Sequence, residues 1–410
     1  MKAFRGTYDL LPSTKKHHHF VEKCARHILS LYGFEEVATP IFEYLDVFVH
    51  TLGTTSDVVT KEMFTFKDRH EDILALRPEG TAGVMRAVLS NKLVQSAPLK
   101  YFYAGPMFRY ERPQKGRMRQ FHQIGVEHIG EAHPLADVES ISMAAHFLKE
   151  LNLSGNIELE VNTLGDVESR QKYRQALVEY LEKYQKDLSS DSQERLRKNP
   201  LRILDSKNER DQEIVLESPK MQDFLTKKAK DFFDSVLRGL EGSKIQFVIN
   251  PRLVRGLDYY EHTAFEFKAS ALGAQNTVLA GGRYDGLSTQ MGGPYLPSTG
   301  WATGIERLCL IGESKSLSTR PAALIPIGER AESVVRALAA ELREDNTPIH
   351  LDYEGSLKSR MKKANRANAS HVVILGEDEI NSKKAVVKDL DLGTQKLVDL
   401  QTLSNHLKER

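Results

Sequence analysis

Cysteine is almost missing from this chain: Cys24 and Cys309 are the only two in 410 residues. Each sits within an apolar helical pattern and neither belongs to a CxxC pair, so a disulfide scaffold and a structural zinc site are excluded as organising devices. An excess of either charge is missing too. A formal net charge of +1 excludes a chain-wide polycation, and contact with nucleic acid has to come from local basic patches. No run is long and apolar enough to span a membrane, and the opening MKAFRGTYDL lacks an apolar signal core, so the cytoplasm is the expected compartment. Repeats and low-complexity segments are absent. What remains, 40% hydrophobic and 28% charged, describes a globular protein too long for one ordinary core, so two or three domains are expected.

The densest stretch is Lys100 to Gly130, KYFYAGPMFRYERPQKGRMRQFHQIGVEHIG. An aromatic strand, a basic polar turn from Arg112 to Arg117 and a second strand with period-two alternation predict a β-hairpin with a charged loop. Alternation puts Met107, Arg109 and Glu111 on one face of the first strand, and Arg119, Phe121, Gln123, Gly125 and Glu127 on one face of the second. A guanidinium, a flat ring, an amide and a carboxylate around a glycine suit a small polar ligand with an anionic end, with Gly125 leaving room for it. For a hairpin taken alone, a solvated sheet face is the plainer reading.

Upstream, Ser13 is placed to cap a helix carrying Phe20, Cys24, Ile28 and Leu31, and Gly33 to end it. The triplet His17, His18, His19 points in three directions on that helix, so it reads as a solvated or partner-facing patch and not as a metal site. EEVATPIFEYLDVF reads as a strand ending near Pro40 followed by a helix that could form a dimer contact. In LALRPEGTAGVMRAVLS a strand turns at Pro78 into a helix. Glu79 and Thr81 sit at that turn, where a carboxylate can either stabilise the helix amino terminus or hold a ligand ammonium.

After a helix (138–151) and the strand IELEVNTLG, the composition between Asp166 and about Gly242 shifts to Lys, Glu, Gln and Asp with helical periodicity, which predicts an inserted helical module. Strand-like sequence resumes with IQFVINPRLVRGLDYYEHTAFEFKA. There a strand from Leu257 to Phe267 is expected, with Asp258, Tyr260 and His262 facing opposite to Leu257 and Tyr259. NTVLAGGRYDGL follows, its double glycine allowing close approach of a backbone or ligand. GWATGIERLCLIG reads as a helix bearing Arg307, which in isolation is an ordinary ion-pair partner. Beyond the polar linker SKSLSTRP the pattern is that of a separate small α/β domain. Its helix from Ser356 to about Ala369 carries an apolar stripe (Leu357, Met361, Ala364) and a basic face with Lys358, Arg360, Lys362, Lys363 and Arg366, either a solvated face or a polyanion contact.

Taken in order, these stretches resemble one family. FRYERPQKGRMRQFHQIGVEHIG is similar to motif 2 and GWATGIERL to motif 3 of class II aminoacyl-tRNA synthetases, while LVRGLDYYEHTAFEF and LAGGRYDGL resemble the signature pair of the histidyl-tRNA synthetase family. The resemblance covers the whole chain. Trp301 stands where the family commonly has Phe, and residues 294–298 differ locally. It implies an α/β chain with an α+β catalytic domain over residues 1–320: an antiparallel sheet flanked by helices, with a helical insertion at about 166–242. A small anticodon-binding α/β domain would follow over 321–410.

The resemblance also implies roles. Arg109 would hold the α-phosphate of a bent ATP, Phe121 and Arg307 would sandwich adenine, and Glu111, Arg117 and Arg307 would meet the nucleotide's polar groups. These residue types suit their partners, since phosphoryl oxygens want forked permanent charges and a purine wants flat faces. Glu79, Thr81 and Gln123 would grip the amino and carboxylate ends of histidine. Glu127 and Tyr260, with Tyr259 nearby, would read the imidazole, and Arg255 would bridge carboxylate and α-phosphate. Arg112 and Gln114 would reach the tRNA acceptor end, and Lys358 and Lys362 its anticodon arm. Mg2+ would accompany ATP, no protein-held metal is expected, and the chain would be a homodimer. The rival within the family is a non-catalytic histidine-sensing paralogue, the regulatory subunit of ATP phosphoribosyltransferase, which usually lacks the carboxyl-terminal domain and departs from RGLDYY.

Overall fold

A computed structural model describes residues 1–53, 58–257, 259–273, 276–312, 320–352 and 354–408. Residues 1–316 and 317–410 form two compact units. Most of SKSLSTRP and the expected position of Asp258 lie outside the described residues.

The first unit is built on an eight-stranded sheet. Its order is Glu35–Glu36, Leu99–Phe108, Gln120–Ile129, Ser298–Gly304, Thr277–Arg283, Glu261–Ala269, Ile157–Thr163 and Val248–Ile249. Only the two outermost pairings are parallel. Alternation gives the sheet one largely apolar face and a second on which Leu99, Met107 and Ile129 are mixed with polar groups. On the apolar face Phe102, Val126, Val161, Phe265 and Trp301 pack with Ile28, Phe147 and Val236 from the helices Pro12–Leu31, Leu135–Glu150 and Lys227–Gly242. Each such side chain contributes about 1.5–3 kcal/mol on burial, so this face carries much of the fold's stability, and the second face can mix apolar packing against the helix Thr81–Ser90 with polar groups.

The local readings need several corrections. The first helix starts at Pro12 with no side-chain cap, so Ser13 does not cap it; proline's fixed φ is already helical and its missing N–H costs nothing there. Gly33 follows its end at φ +77°. Two short strands flank Pro40, and the second, Phe42–Tyr44, pairs with Ile73–Leu76 in a separate three-stranded sheet before the helix Leu45–Leu52. The strand expected from Leu257 begins only at Glu261. The double glycine admits neighbouring backbone: a Cβ on Gly281 would lie 2.1 Å from the Gly300 carbonyl, and one on Gly282 would lie 2.3 Å from that of Thr263.

The helical insertion comprises Val167–Glu182, Ser190–Lys198, Glu209–Leu216 and Lys227–Gly242. Asp166, Ser189, Asn208 and Thr226 each cap one of these with a side-chain oxygen, as their residue types favour. Tyr173, Leu177, Leu181, Ile203 and Ile214 give the module its own core.

The second unit is a five-stranded sheet in the order Ile349–Leu351, Ala322–Pro326, His371–Leu375, Lys384–Asp389 and Gln395–Asp399, parallel in its first three strands and antiparallel beyond. The short helix Glu377–Ser382 and the strand Gln395–Asp399 escape the sequence pattern. The mixed α/β class is as expected.

Candidate active site

The hairpin pairs Met107 with Phe121, Tyr103 with Gly125 and Tyr101 with Glu127. Its open end carries the charges. Arg109 donates from Nε to the Pro78 carbonyl at 2.9 Å, lies 3.7 Å from Glu111, and holds its guanidinium 5.4 Å from the centre of the Phe121 ring. Arg117 meets the other oxygen of Glu111 at 3.2 Å. Arg307 is fixed by Nε donation to the Thr277 carbonyl at 2.8 Å. Burial, and then the charge of Arg117, lower its pKa. Neighbouring guanidinium groups disfavour each other's charge, a cost that an anion between them would offset. Across the cleft Arg255 forms an ion pair with Glu266, which Thr277 Oγ1 also reaches at 2.8 Å, and lies 5.4 Å from the centre of the Tyr260 ring.

These groups share one cleft of about 940 Å³, lined by Arg109, Glu111, Arg117, Phe121, Gln123, Arg255, Glu266 and Arg307. The insertion contributes Arg195, Arg202 and Lys207 to the same walls. It also holds the loop before the Glu261 strand, since Arg202 donates to the Gly256 carbonyl at 2.6 Å and Arg170 donates to that of Tyr260.

Under Gln123 lies a second, closed group. Glu79 accepts the backbone N–H groups of Thr81 and Ala82 at 2.7 and 2.8 Å, thereby capping the helix Thr81–Ser90. Thr81 Oγ1 donates to Glu127 at 2.7 Å, and the Tyr284 hydroxyl donates to the other Glu127 oxygen. The rings of Tyr259 and Tyr260 are 4.7 Å apart, and both pack edge-on to Tyr284. Glu127 is 2% exposed. Burial pushes its pKa up to about 8 despite the two hydroxyl donors, with the charge of Glu79 adding to the rise. Burial likewise holds Tyr103, Tyr259 and Tyr284 protonated, well above their ordinary value. Such a cluster gathers hydrogen-bonding groups of the type that can read the edge of a small polar ring.

Three readings change here. The space over Gly125 is taken by Tyr103: a Cβ on Gly125 would lie 2.2 Å from the Tyr103 hydroxyl, and one on Gly80 would lie 2.2 Å from the same ring. The glycines admit a protein ring, whose hydroxyl is 3.4 Å from Gln123 Oε1. Tyr259 and Tyr260 are both buried, because the loop they occupy does not alternate. His18 is not solvated: it is 1% exposed, packed edge-on against His122 at 5.3 Å. His18, His122 and Glu306 are the one group of three possible metal ligands found among the described residues, their ligand atoms all within 4.8 Å of one another. Both Glu306 oxygens already accept from the His122 N–H, at 3.0 and 2.9 Å, and Oε1 also from the ring, so the carboxylate is committed to strand geometry.

Arg112 and Gln114 are exposed at the hairpin tip, where Gln114 and Arg117 exchange backbone hydrogen bonds at 3.0 and 2.9 Å. In the second unit Lys358 and Lys362 are exposed on the helix Leu357–Arg366, while Lys363 is engaged by Asp352 at 2.9 Å. Of the expected stripe Ala364 is buried, but Leu357 is 44% exposed. Sequence reading missed Tyr103, Tyr284, Glu266, His122 and Glu306. A signal existed for Glu266, a charge set between buried Phe265 and Phe267, and for Tyr103, which faces Gly125 within the hairpin; the others depend on partners far along the chain.

Comparison with known proteins shows the family of the chain. Residues 6–308 match the family described as histidyl-tRNA synthetase, and residues 322–410 match the anticodon binding domain. The chain is 52% identical to the histidine–tRNA ligase of Rhodospirillum rubrum, over 99% of this chain and 98% of that one. It is 51% identical to that of Gluconacetobacter diazotrophicus over 99% and 98%. The crystal structure of apo S. aureus histidyl-tRNA synthetase superposes with a TM-score of 0.83 at 33% identity, covering all of both chains.

Proposed function

The chain belongs to the histidyl-tRNA synthetase family and is a histidine–tRNA ligase, and from that premise we propose how its residues divide the work. The reaction activates histidine with ATP to histidyl-adenylate, releasing pyrophosphate, and then transfers the histidyl group to a ribose hydroxyl at the 3′ end of histidine tRNA, releasing AMP. End-to-end identity with ligases does not favour the regulatory paralogue. The observation that supports the residue assignment is that the arginine-lined cleft meets the buried tyrosine–carboxylate cluster at Gln123.

ATP occupies the cleft, its adenine between Phe121 and Arg307, with Arg109 on the α-phosphate and Glu111, Arg117 and Arg307 on its other polar groups. Histidine sits deeper. Glu79, Thr81 and Gln123 hold its α-amino and carboxylate groups, while Glu127, Tyr259 and Tyr260 surround the imidazole. Glu79 then serves both alternatives left open by the sequence, helix cap and ammonium ligand. Arg255 leaves Glu266 to bridge the histidine carboxylate and the α-phosphate. No side chain acts as nucleophile; the substrate carboxylate attacks phosphorus, and the protein supplies alignment and positive charge. Mg2+ would enter with ATP as part of that substrate and offset phosphate charge, and the cleft carboxylates Glu111 and Glu266, each paired with arginine here, are of the type that would meet it. Histidine-dependent exchange of labelled pyrophosphate into ATP by the purified chain tests the first step, and its absence with folded protein would refute the assignment.

Homodimerisation belongs to the same proposal. Phe42, Tyr44, Phe66 and Ile73 of the three-stranded sheet are 42–61% exposed, an apolar patch of the kind that a partner covers. No helix among the described residues is long and apolar enough to cross a membrane, and we place the activity in the cytoplasm.

Two tRNA contacts are testable. Arg112 and Gln114 can each make paired hydrogen bonds to a base edge, and Arg112 can also meet a 5′ phosphate. Arg112→Ala and Gln114→Ala should leave pyrophosphate exchange within a few-fold of wild type and reduce aminoacylation by about 1–3 kcal/mol per lost base contact. Transcripts with and without the additional 5′ guanosine of histidine tRNA decide: mutants that still discriminate as wild type does would show that the loop is not the reader. The second contact is the helix Leu357–Arg366. Reversing Lys358 and Lys362 to glutamate should raise the KM for tRNA, flatten the salt dependence of tRNA binding by roughly one unit of slope per lost phosphate contact, and spare pyrophosphate exchange. An unchanged salt slope would remove that helix from the interface.

A further inference from the structure

The strand Gln120–Ile129 runs beside Ser298–Gly304, with Gln123 opposite Gly304 as the last pair in that direction. After Gly304 the chain leaves the sheet and enters the helix Ile305–Ile311, so no backbone carbonyl is in register to receive the N–H of His122. Glu306 takes that place. Its Oε1 and Oε2 accept the His122 N–H at 3.0 and 2.9 Å, and the His122 ring meets Oε1 through Nδ1 at 2.9 Å. The carboxylate is 8% exposed, and the Tyr8 hydroxyl also reaches it at 3.4 Å. A buried carboxylate with this many donors is strongly oriented, because each donor would be left unmet by a shift.

The neighbours of this bond give it consequence. His122 lies between Phe121 and Gln123, and Glu306 immediately precedes Arg307. Phe121 and Arg307 stand on two different elements, and within the sheet no ladder bond beyond Gly304 ties those elements together. His18, 1% exposed, packs edge-on against the His122 ring at 5.3 Å, so a buried ring backs the bond.

Building on the adenine assignment above, we propose that His122 and Glu306 are positioning residues that set the spacing between Phe121 and Arg307 and thereby the fit of the purine. His122 touches no substrate. Its effect is exerted through the ring and the guanidinium on either side.

The test is steady-state pyrophosphate exchange by the full chain, with ATP and histidine varied separately, on His122→Ala, His122→Asn, Glu306→Asp and Phe121→Ala. His122→Ala and Glu306→Asp should each raise the KM for ATP by roughly tenfold, the scale of one lost charge-assisted hydrogen bond, while the KM for histidine and the melting temperature stay near wild type. His122→Asn, whose amide N–H can stand in for Nδ1, should recover most of the loss. Equal rises in both KM values would mark a merely structural bond and overturn the proposal, as would unchanged ATP KM values in both His122→Ala and Glu306→Asp. Phe121→Ala separates the two levels. If it raises the ATP KM and the clamp variants do not, the clamp fails while the adenine assignment stands; if it has no effect, the assignment fails and takes the clamp with it.

Discussion

Arg255→Ala should slow histidyl-adenylate formation by about 10²- to 10³-fold, the cost of removing one preorganised donor from a developing negative charge, and leave the fold intact. The resting enzyme keeps this guanidinium in store. Burial works against its charge, but Glu266, with Tyr260 and Tyr259 behind it, outweighs burial and raises its pKa. Glu266 is itself held by Thr277 Oγ1 at 2.8 Å and lies 3.9 Å from Lys268, so it stays in place when Arg255 turns to a ligand. The substrate pair presents a carboxylate and a phosphoryl group, and a planar fork can serve both at once where an ammonium cannot. Arg255→Lys should therefore recover little of the loss. Single-turnover adenylation under saturating histidine and ATP is the measurement, with the melting temperature recorded beside it. A rate near wild type in Arg255→Ala would remove this residue from the chemistry.

The second large effect is expected at Glu127. Glu127→Gln keeps shape and size but replaces a carboxylate that can accept an imidazole N–H at either oxygen with a group that has one acceptor. Sites that hydrogen-bond a substrate group in this way discriminate by about 10⁴-fold, and a loss approaching that size in kcat/KM for histidine is expected, with the KM for ATP within a few-fold. Equal losses for both substrates would make the residue structural.

The same carboxyl makes a stability prediction for the enzyme without substrates. Its pKa rises from 4.5 to about 8 on folding. Between those values the folded chain retains a proton that the unfolded chain releases, so rising pH favours unfolding across this window. Glutamine does not titrate. Relative to wild type, Glu127→Gln should thus gain stability as pH goes from 5 to 8, by at most about 1.4 kcal/mol per pH unit, read from urea unfolding at the two pH values. A constant difference would show that Glu127 is ionised throughout.

The hairpin face was legible because a strand has one unavoidable rule: alternate side chains share a face, and Phe121, Gln123 and Glu127 obey it wherever the strand goes. The same rule misled at Leu257–Tyr260. There Arg170 and Arg202 of the insertion take up the carbonyls of Tyr260 and Gly256, and a loop held from outside turns both tyrosines inward. His18 shows the converse. Helical spacing correctly separates it from His17 and His19, but whether its direction meets water or His122 depends on which elements pack above it.

Sequence alone determined what local chemistry dictates: the class of each unit, the alternating faces, the residue types able to hold phosphate, purine and imidazole, and the family to which their order belongs. Tertiary structure alone decided which groups face each other. It put Tyr103 over Gly125, Tyr284 against Glu127, Glu266 against Arg255 and Glu306 against His122. Tyr103 and Gly125 meet through the register of one hairpin and Arg255 and Glu266 across eleven residues, but the other pairs are brought together by strand order and by helix position, and strand order is set by which faces bury apolar area across the whole sheet, a global quantity that no window of sequence contains.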